Sequence, residues 1–248
     1  MELREVKMEE CRKDKDCSYQ EKLPVCTQND IKKVALVSCS NGLPQQIRCQ
    51  IEELCEVLKG QGLEIVLSPY LYANDSVAGG TARQRADFLM QCYGDPEITD
   101  IYDVSGGDVA NEILPYLDYE VIARSDKTFW GYSDLTTVIN AIYTKTGKFS
   151  ILYQIRNLVG SEAAMQQERF RKWQAGEDAL TNISYEFVQG DQLDGVVVGG
   201  NIRCFLKLAG TPYWPDLTDK VLLLEARGGG VAQMTTYLSQ LQIGRAHV

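Results

Sequence analysis

From Val34 onward, short apolar runs alternate with stretches whose apolar residues recur at helical spacing. Val34-Ala-Leu-Val37 ends in the polar turn Ser38-Cys39-Ser40-Asn41-Gly42, after which Ile47, Ile51, Leu54 and Leu58 mark one helix face up to Gly60 and Gly62. Leu63 to Leu67 predicts a second strand, Thr81 to Met90 a second helix, and Ile101 to Val104 a third strand feeding Gly106-Gly107. Asn111 to Leu117 predicts a helix, Thr128 to Tyr132 a fourth strand, and Leu135 to Thr146 a helix ended by Gly147. Such alternation packs as a parallel sheet with helices on both faces. Beyond it, 155–180 is polar and partly helical. Ile183 to Val188, Gly195 to Val198 and Val221 to Leu224 are β-branched or aliphatic runs between turns and predict further strands.

The expected fold class is therefore α/β, with an N-terminal parallel-sheet, flavodoxin-like domain followed by a strand-rich α/β second domain. The expected boundaries are a polar leader at 1–32, the first domain at 33–150, a helical crossing at 151–182 and an incomplete second domain at 183–242, with a tail at 243–248. Composition changes this picture little but excludes several functions. The 248 residues are 44% apolar, enough for a full core. Net charge is −9 and no Lys/Arg stripe is interleaved with aromatics, so nucleic acid is not an expected partner. The charged N-terminus lacks the apolar segment of a secretory signal and no run is long enough to span a membrane, which makes the cytoplasm the expected location. Cys39, Cys49, Cys55, Cys92 and Cys204 are scattered and expected as free thiols. Cys11, Cys17 and Cys26 cluster in the leader without a CxxC pair or a nearby histidine, so no metal is expected there, and no cofactor elsewhere.

A strand running into Ser105-Gly106-Gly107-Asp108-Val109-Ala110-Asn111 and then a helix converges backbone amides at a helix N-terminus, where an anion can be held. The plain alternative is a tight strand-to-helix turn with Ser105 as a turn residue. Gly106-Gly107 after a strand also admits a nucleotide-binding module, although neither GxGxxG nor a Walker lysine pattern is present. In Trp130-Gly131-Tyr132-Ser133-Asp134 the aromatics read as core, and Ser133 and Asp134 as polar or capping residues.

Longer segments carry a resemblance. SGGDVANEILPYLDYEVI followed by FWGYSDLT, then GGN at 199–201, GTPYWPDL at 210–217 and KVLLLE at 220–225, resembles in order and spacing the serine LD-carboxypeptidases, the family that also holds the microcin C resistance peptidases. Coverage is about 32–242. The resemblance implies a two-domain cytoplasmic peptidase that cuts the L-D peptide bond of murein tetrapeptide in cell-wall recycling. It implies a serine nucleophile on the elbow, with a glutamate and a histidine from the second domain. By motif position Glu225 matches the triad acid, which orients and charge-stabilises the base. Gly106, Gly107, Asn111, Ser133 and Asp134 fall in the oxyanion and substrate-binding segments. The implied partner is a murein-derived peptide with a D-residue terminus, as substrate or ligand, with a homodimer as an option.

The departures decide the functional expectation. The nucleophile position holds Ala110, and a methyl group can neither attack a carbonyl nor give up a proton. Asp108 adds a carboxylate beside amides that would stabilise an oxyanion. The single histidine, His247, stands two residues from the end. The last six residues back-translate to a common sequencing adapter read in frame, so the natural protein is expected to continue after about Gln242 without His247 in that place. The reading is a family member that binds a peptide but does not cleave it by serine chemistry. The alternatives are an active peptidase, with an engineered Ser-to-Ala change or with Glu225 and Asp108 acting on water, and the nucleotide-binding module.

Overall fold

The computed structural model describes residues 32–74 and 76–245. The leader cysteines Cys11, Cys17 and Cys26, and His247, lie outside the described residues.

The chain runs β1 (Lys32–Val37), α1 (Arg48–Gly60), β2 (Leu63–Leu67), α2 (Ala82–Gly94), β3 (Ile98–Asp103), α3 (Tyr119–Arg124), β4 (Thr128–Gly131), α4 (Thr136–Thr146) and β5 (Ile151–Leu152). It continues through α5 (Ala163–Gln174), β6 (Val196–Asn201), α6 (Ile202–Leu206), β7 (Lys220–Glu225) and α7 (Val231–Arg245). The first five strands form one parallel sheet in the order β2-β1-β3-β4-β5, the flavodoxin-type doubly wound order. Period-two alternation explains its near-continuous apolar strands. Ala35 and Val37 face a core with Leu89, Ile113 and Val138, while Val34 and Leu36 face another with Leu54, Trp130 and Phe170.

Local chemistry accounts for the element ends. Thr81 and Gln84 close a capping box at the start of α2. Gly147 ends α4 in the left-handed region. The expected helix at Asn111 to Leu117 is instead a 3-10 segment, Ala110–Tyr116. Pro115 inside it has no N–H to give an α-helical bond, so the tighter turn prevails. The expected strand at Ile183 to Val188 is absent. Residues 181–195 are exposed without regular structure, because β-branched residues make a strand only where a neighbour takes the ladder bonds. The two-residue strand β5 at the sheet edge is too short to show in the apolar pattern.

β6 and β7 pair in parallel as a separate two-stranded sheet with Asn201 opposite Glu225. α4 holds β6 from below. The Asn140 amide donates to Gly199 O at 2.8 Å and accepts from Gly199 N at 2.9 Å, and Thr136 Oγ1 accepts from Asn201 N at 3.0 Å. Gly200, at φ +127°, allows this approach, since a Cβ there would lie 2.6 Å from Thr136 Oγ1.

Candidate functional site

In a doubly wound sheet the loops that leave adjacent strands in opposite directions open a crevice at the carboxyl ends, and here that point falls between β1 and β3. The two loops are joined by the Asn41–Gly106 bridge. Gly107, at φ +129°, takes a conformation that side chains disfavour, and a Cβ there would meet the Asn41 side chain at 2.2 Å. Glycine is thus required for the β3 turn to close against the β1 loop.

Beneath this turn lie two carboxylates with no exposure, Asp103 and Asp134. Asp103 accepts from Cys39 N and Ser105 N, both at 2.7 Å, and from Ser105 Oγ. Asp134 accepts from Ser40 Oγ at 2.6 Å and Ala110 N at 2.8 Å, and its other oxygen takes Lys207 Nζ from just beyond α6. Arg85 crosses from α2 to the carbonyls of Cys39 and Ser40 and to Glu112. Burial pushes the Asp103 carboxyl above its ordinary value, against the hydrogen bonds from Ser105 and Cys39 that favour its charge. Three amides of the turn are committed within the protein. Ser105 N, Asp108 N and Ala110 N go to Asp103, Asn41 and Asp134 respectively.

Above the turn opens a cavity of about 730 Å³. Its lining comes from the carboxyl ends of strand after strand: Leu43 beyond β1, Gly106 and Gly107 beyond β3, Tyr132 and Ser133 beyond β4, and Gln154 and Arg156 beyond β5. Asn201 closes it from β6, and Glu225 and Arg227 from β7. A smaller cavity of about 290 Å³, lined in part by Asp108 and Arg203, shares Gly107, Ser133, Asn201 and Arg227 with it. Ser133 stands at φ +58°, where a residue with a Cβ is strained, and its Oγ lies 4.0 Å from the Cβ position of Gly106.

Of the residues singled out from the sequence, Gly106, Gly107, Ser133 and Glu225 meet on the larger cavity, whereas Ala110, Asn111 and Asp134 do not line it. Ala110 has no exposure and packs with Ile113 and Leu135. Asn111 is exposed. Trp130 is core, 2% exposed, and donates to Asp100 Oδ1 at 2.9 Å. Tyr132, expected as core, is instead 38% exposed on the cavity wall, because Trp130 is the last β4 residue in register with β3 and the chain turns out after Gly131. Burial and then the charge of Glu225 raise the Tyr132 phenol. Asp108, expected to oppose an oxyanion, is ion-paired with Arg203, which also donates to Gly107 O at 3.0 Å. Sequence reading missed Arg156, Arg203 and Lys207. The cationic residues beyond β5 and around α6 carry no motif, and only proximity reveals them. Among the described residues no group of His, Cys, Asp and Glu is placed to hold a metal ion, the five described cysteines are free, and no helix is long and apolar enough to cross a membrane.

Fold and cavity define an α/β protein with a cleft of mixed polar and apolar lining at the strand ends, floored by a glycine turn that begins a short helix. The LD-carboxypeptidase N-terminal domain matches residues 34–153 and the LD-carboxypeptidase C-terminal domain matches 194–246, and the chain belongs to this family. It is similar to the microcin C7 self-immunity protein MccF of Escherichia coli, 25% identical over 223 residues, covering 77% of this chain and 65% of that protein. The murein tetrapeptide carboxypeptidase of Pseudomonas aeruginosa is 25% identical over 190 residues, covering 72% and 61%. The solved structure of MccF in complex with glutamyl sulfamoyl guanosine shares the fold, with a TM-score of 0.73 at 21% identity, covering 90% of this chain and 75% of that one. The chain spans 59–67% of the length of the curated relatives it matches.

Proposed function

We propose that this chain binds, in the cytoplasm, a murein-derived peptide with a D-residue terminus in the cavity at the strand ends, and does not cleave it by serine chemistry. The observation that carries the reading is the pairing of a cavity of about 730 Å³, lined by polar and apolar groups alike, with a nucleophile position that holds no nucleophile. Ala110 is a buried methyl whose backbone N–H is spent on Asp134. Glu225, matched by motif to the triad acid, would stay on the cavity wall to meet a backbone amide or ammonium group of the ligand. Gly106, Gly107 and Ser133 would contact the peptide, while Asp134 would act from beneath by holding the turn. The name of the Pseudomonas relative, a murein tetrapeptide carboxypeptidase, supports a peptide as the ligand class.

The reading in which Glu225 and Asp108 act together on water is disfavoured by Asp108, whose carboxylate is engaged by Arg203. The test is incubation of the protein with murein tetrapeptide beside an Ala110→Ser variant. Binding without release of D-alanine is expected for the unaltered protein. Release of D-alanine by it, abolished in Glu225→Gln, would defeat the binding-only reading. A thermal shift with nucleotides but not with the peptide would favour the nucleotide-binding alternative. Sedimentation of the free and liganded protein reports whether a second copy takes part.

A further inference from the structure

Two arginines at the carboxyl end of the large sheet are withdrawn from solvent, and both leave Nε buried without a partner. Their remaining nitrogens differ. Arg85, 3% exposed, is consumed by the protein itself, through the carbonyls of Cys39 and Ser40 and through Glu112. Arg156 is half-buried on the 3-10 segment Ile155–Val159 that follows β5. Its guanidinium enters none of the ion pairs among the described residues, yet it lines the larger cavity.

A partly desolvated cation without an acceptor is costly, and it becomes favourable when an anion arrives to share the site. The surroundings fix where that anion would sit. Gln154, two positions earlier, donates to Ser105 O at 3.2 Å and so seats the segment beside the glycine turn. Arg227 contributes a second cation to the same lining, with Glu225 as the only carboxylate in it. Arg203, at the neighbouring cavity, is already neutralised by Asp108. In a chain of net charge −9, this lining is a local excess of positive charge.

We propose that Arg156 receives the terminal carboxylate of the bound peptide on its planar guanidinium fork and so selects ligands with a free C-terminus. The proposal rests on the peptide-binding reading above and names the residue that gives it specificity. Gly106, Gly107, Asn201 and Glu225 line the same cavity and are left to meet the rest of the peptide.

Titration calorimetry with a murein tetrapeptide ending in D-alanine, and with its C-terminal amide, tests the proposal against wild type, Arg156→Gln and Arg156→Lys. The acid is expected to bind wild type about tenfold or more tightly than the amide, the size of a charge-assisted hydrogen bond. Arg156→Gln should remove that difference by weakening the acid alone, with amide binding as the folding control. Arg156→Lys, which keeps the charge but not the fork, should recover only part of it. Equal binding of acid and amide by wild type, or acid binding unchanged in Arg156→Gln, overturns the role of Arg156 and leaves the peptide reading intact. If neither peptide binds, the Nε–H resonance of Arg156 is followed as N-acetyl-D-alanine is added. A saturable shift upholds the carboxylate site while the peptide reading fails, and no shift overturns both.

Discussion

The floor beneath the Gly106-Gly107 turn and the walls of the cavity above it are built from the same kinds of residue and treat them in opposite ways. On the floor, Asp103 and Asp134 have no exposure, and both oxygens of each are met by donors of the protein. On the walls, Glu225 and Arg156 face open space, and Arg156 lacks a partner at a buried nitrogen. Satisfied buried carboxylates hold a loop in one conformation, whereas unsatisfied groups on a cavity keep their bonding capacity for a ligand. The family resemblance placed the chemistry on the turn itself. In this chain the amide at the nucleophile position, Ala110 N, is spent on Asp134, and Glu225 and Arg156 keep open capacity on the walls around the turn.

The comparison breaks first at Asp134. Asp134→Ala should lower stability by about 3 kcal/mol, since it strands the buried Ser40 hydroxyl and the Ala110 N–H and takes from the Lys207 ammonium its ion-pair partner, leaving it the Asp108 carbonyl. Urea unfolding measures it, and a loss under about 1 kcal/mol would show that the floor does not hold the turn. Next in size, Asn140→Ala should cost about 2 kcal/mol or more by orphaning both backbone groups of Gly199, and it should loosen β6, read as faster amide exchange at Gly199.

The walls should behave otherwise. Glu225→Gln and Arg156→Gln should each stay within about 0.5 kcal/mol of wild type in the same unfolding assay, as groups without structural partners do. Arg203→Ala should cost no more than about 1 kcal/mol, because its pair with Asp108 is solvent-exposed. A loss of several kcal/mol at Glu225 would move that residue from wall to scaffold.

Titration sharpens the contrast further. Burial raises Asp103, and Asp100 three residues earlier on β3, above the ordinary value of 3.8. A raised carboxyl binds its proton more tightly folded than unfolded. The stability each contributes is therefore full at acid pH and is lost as pH climbs from 3.8 through the raised value. Asp100→Asn should flatten that decline, as seen in thermal melts from pH 4 to 7 (about the range that such carboxyls titrate over). The smallest effect belongs to the wall: Glu225→Gln should lower the Tyr132 phenol by removing a neighbouring negative charge, visible by ultraviolet titration.

Much of the first sheet was legible because each strand is an apolar run closed by a polar turn, as Val34 to Val37 and Leu63 to Leu67 are. The errors have specific causes. Ile183 to Val188 has the composition of a strand but no neighbour to pair with. Asn111 to Leu117 has helical apolar spacing, but Pro115 tightens it to 3-10 turns. Tyr132 follows a core tryptophan and yet leaves the core, because β4 ends one residue before it. For the site, motif order located Gly106, Gly107, Ser133 and Glu225, which meet on the cavity although they come from three different strand ends.

By itself the sequence determined the α/β class, the chain's family, and the absence of a hydroxyl at position 110. These depend on local periodicity, on motif order and on the identity of one residue. Only the tertiary structure decided which groups are spent and which remain open. Ala110 N is taken by Asp134 from another strand end, Asp108 is held by Arg203 from α6, and Arg156 is left without an acceptor beside the cavity. Hydrogen bonds and charge pairs between residues far apart in the chain depend on distance and burial, and neither is written in local pattern.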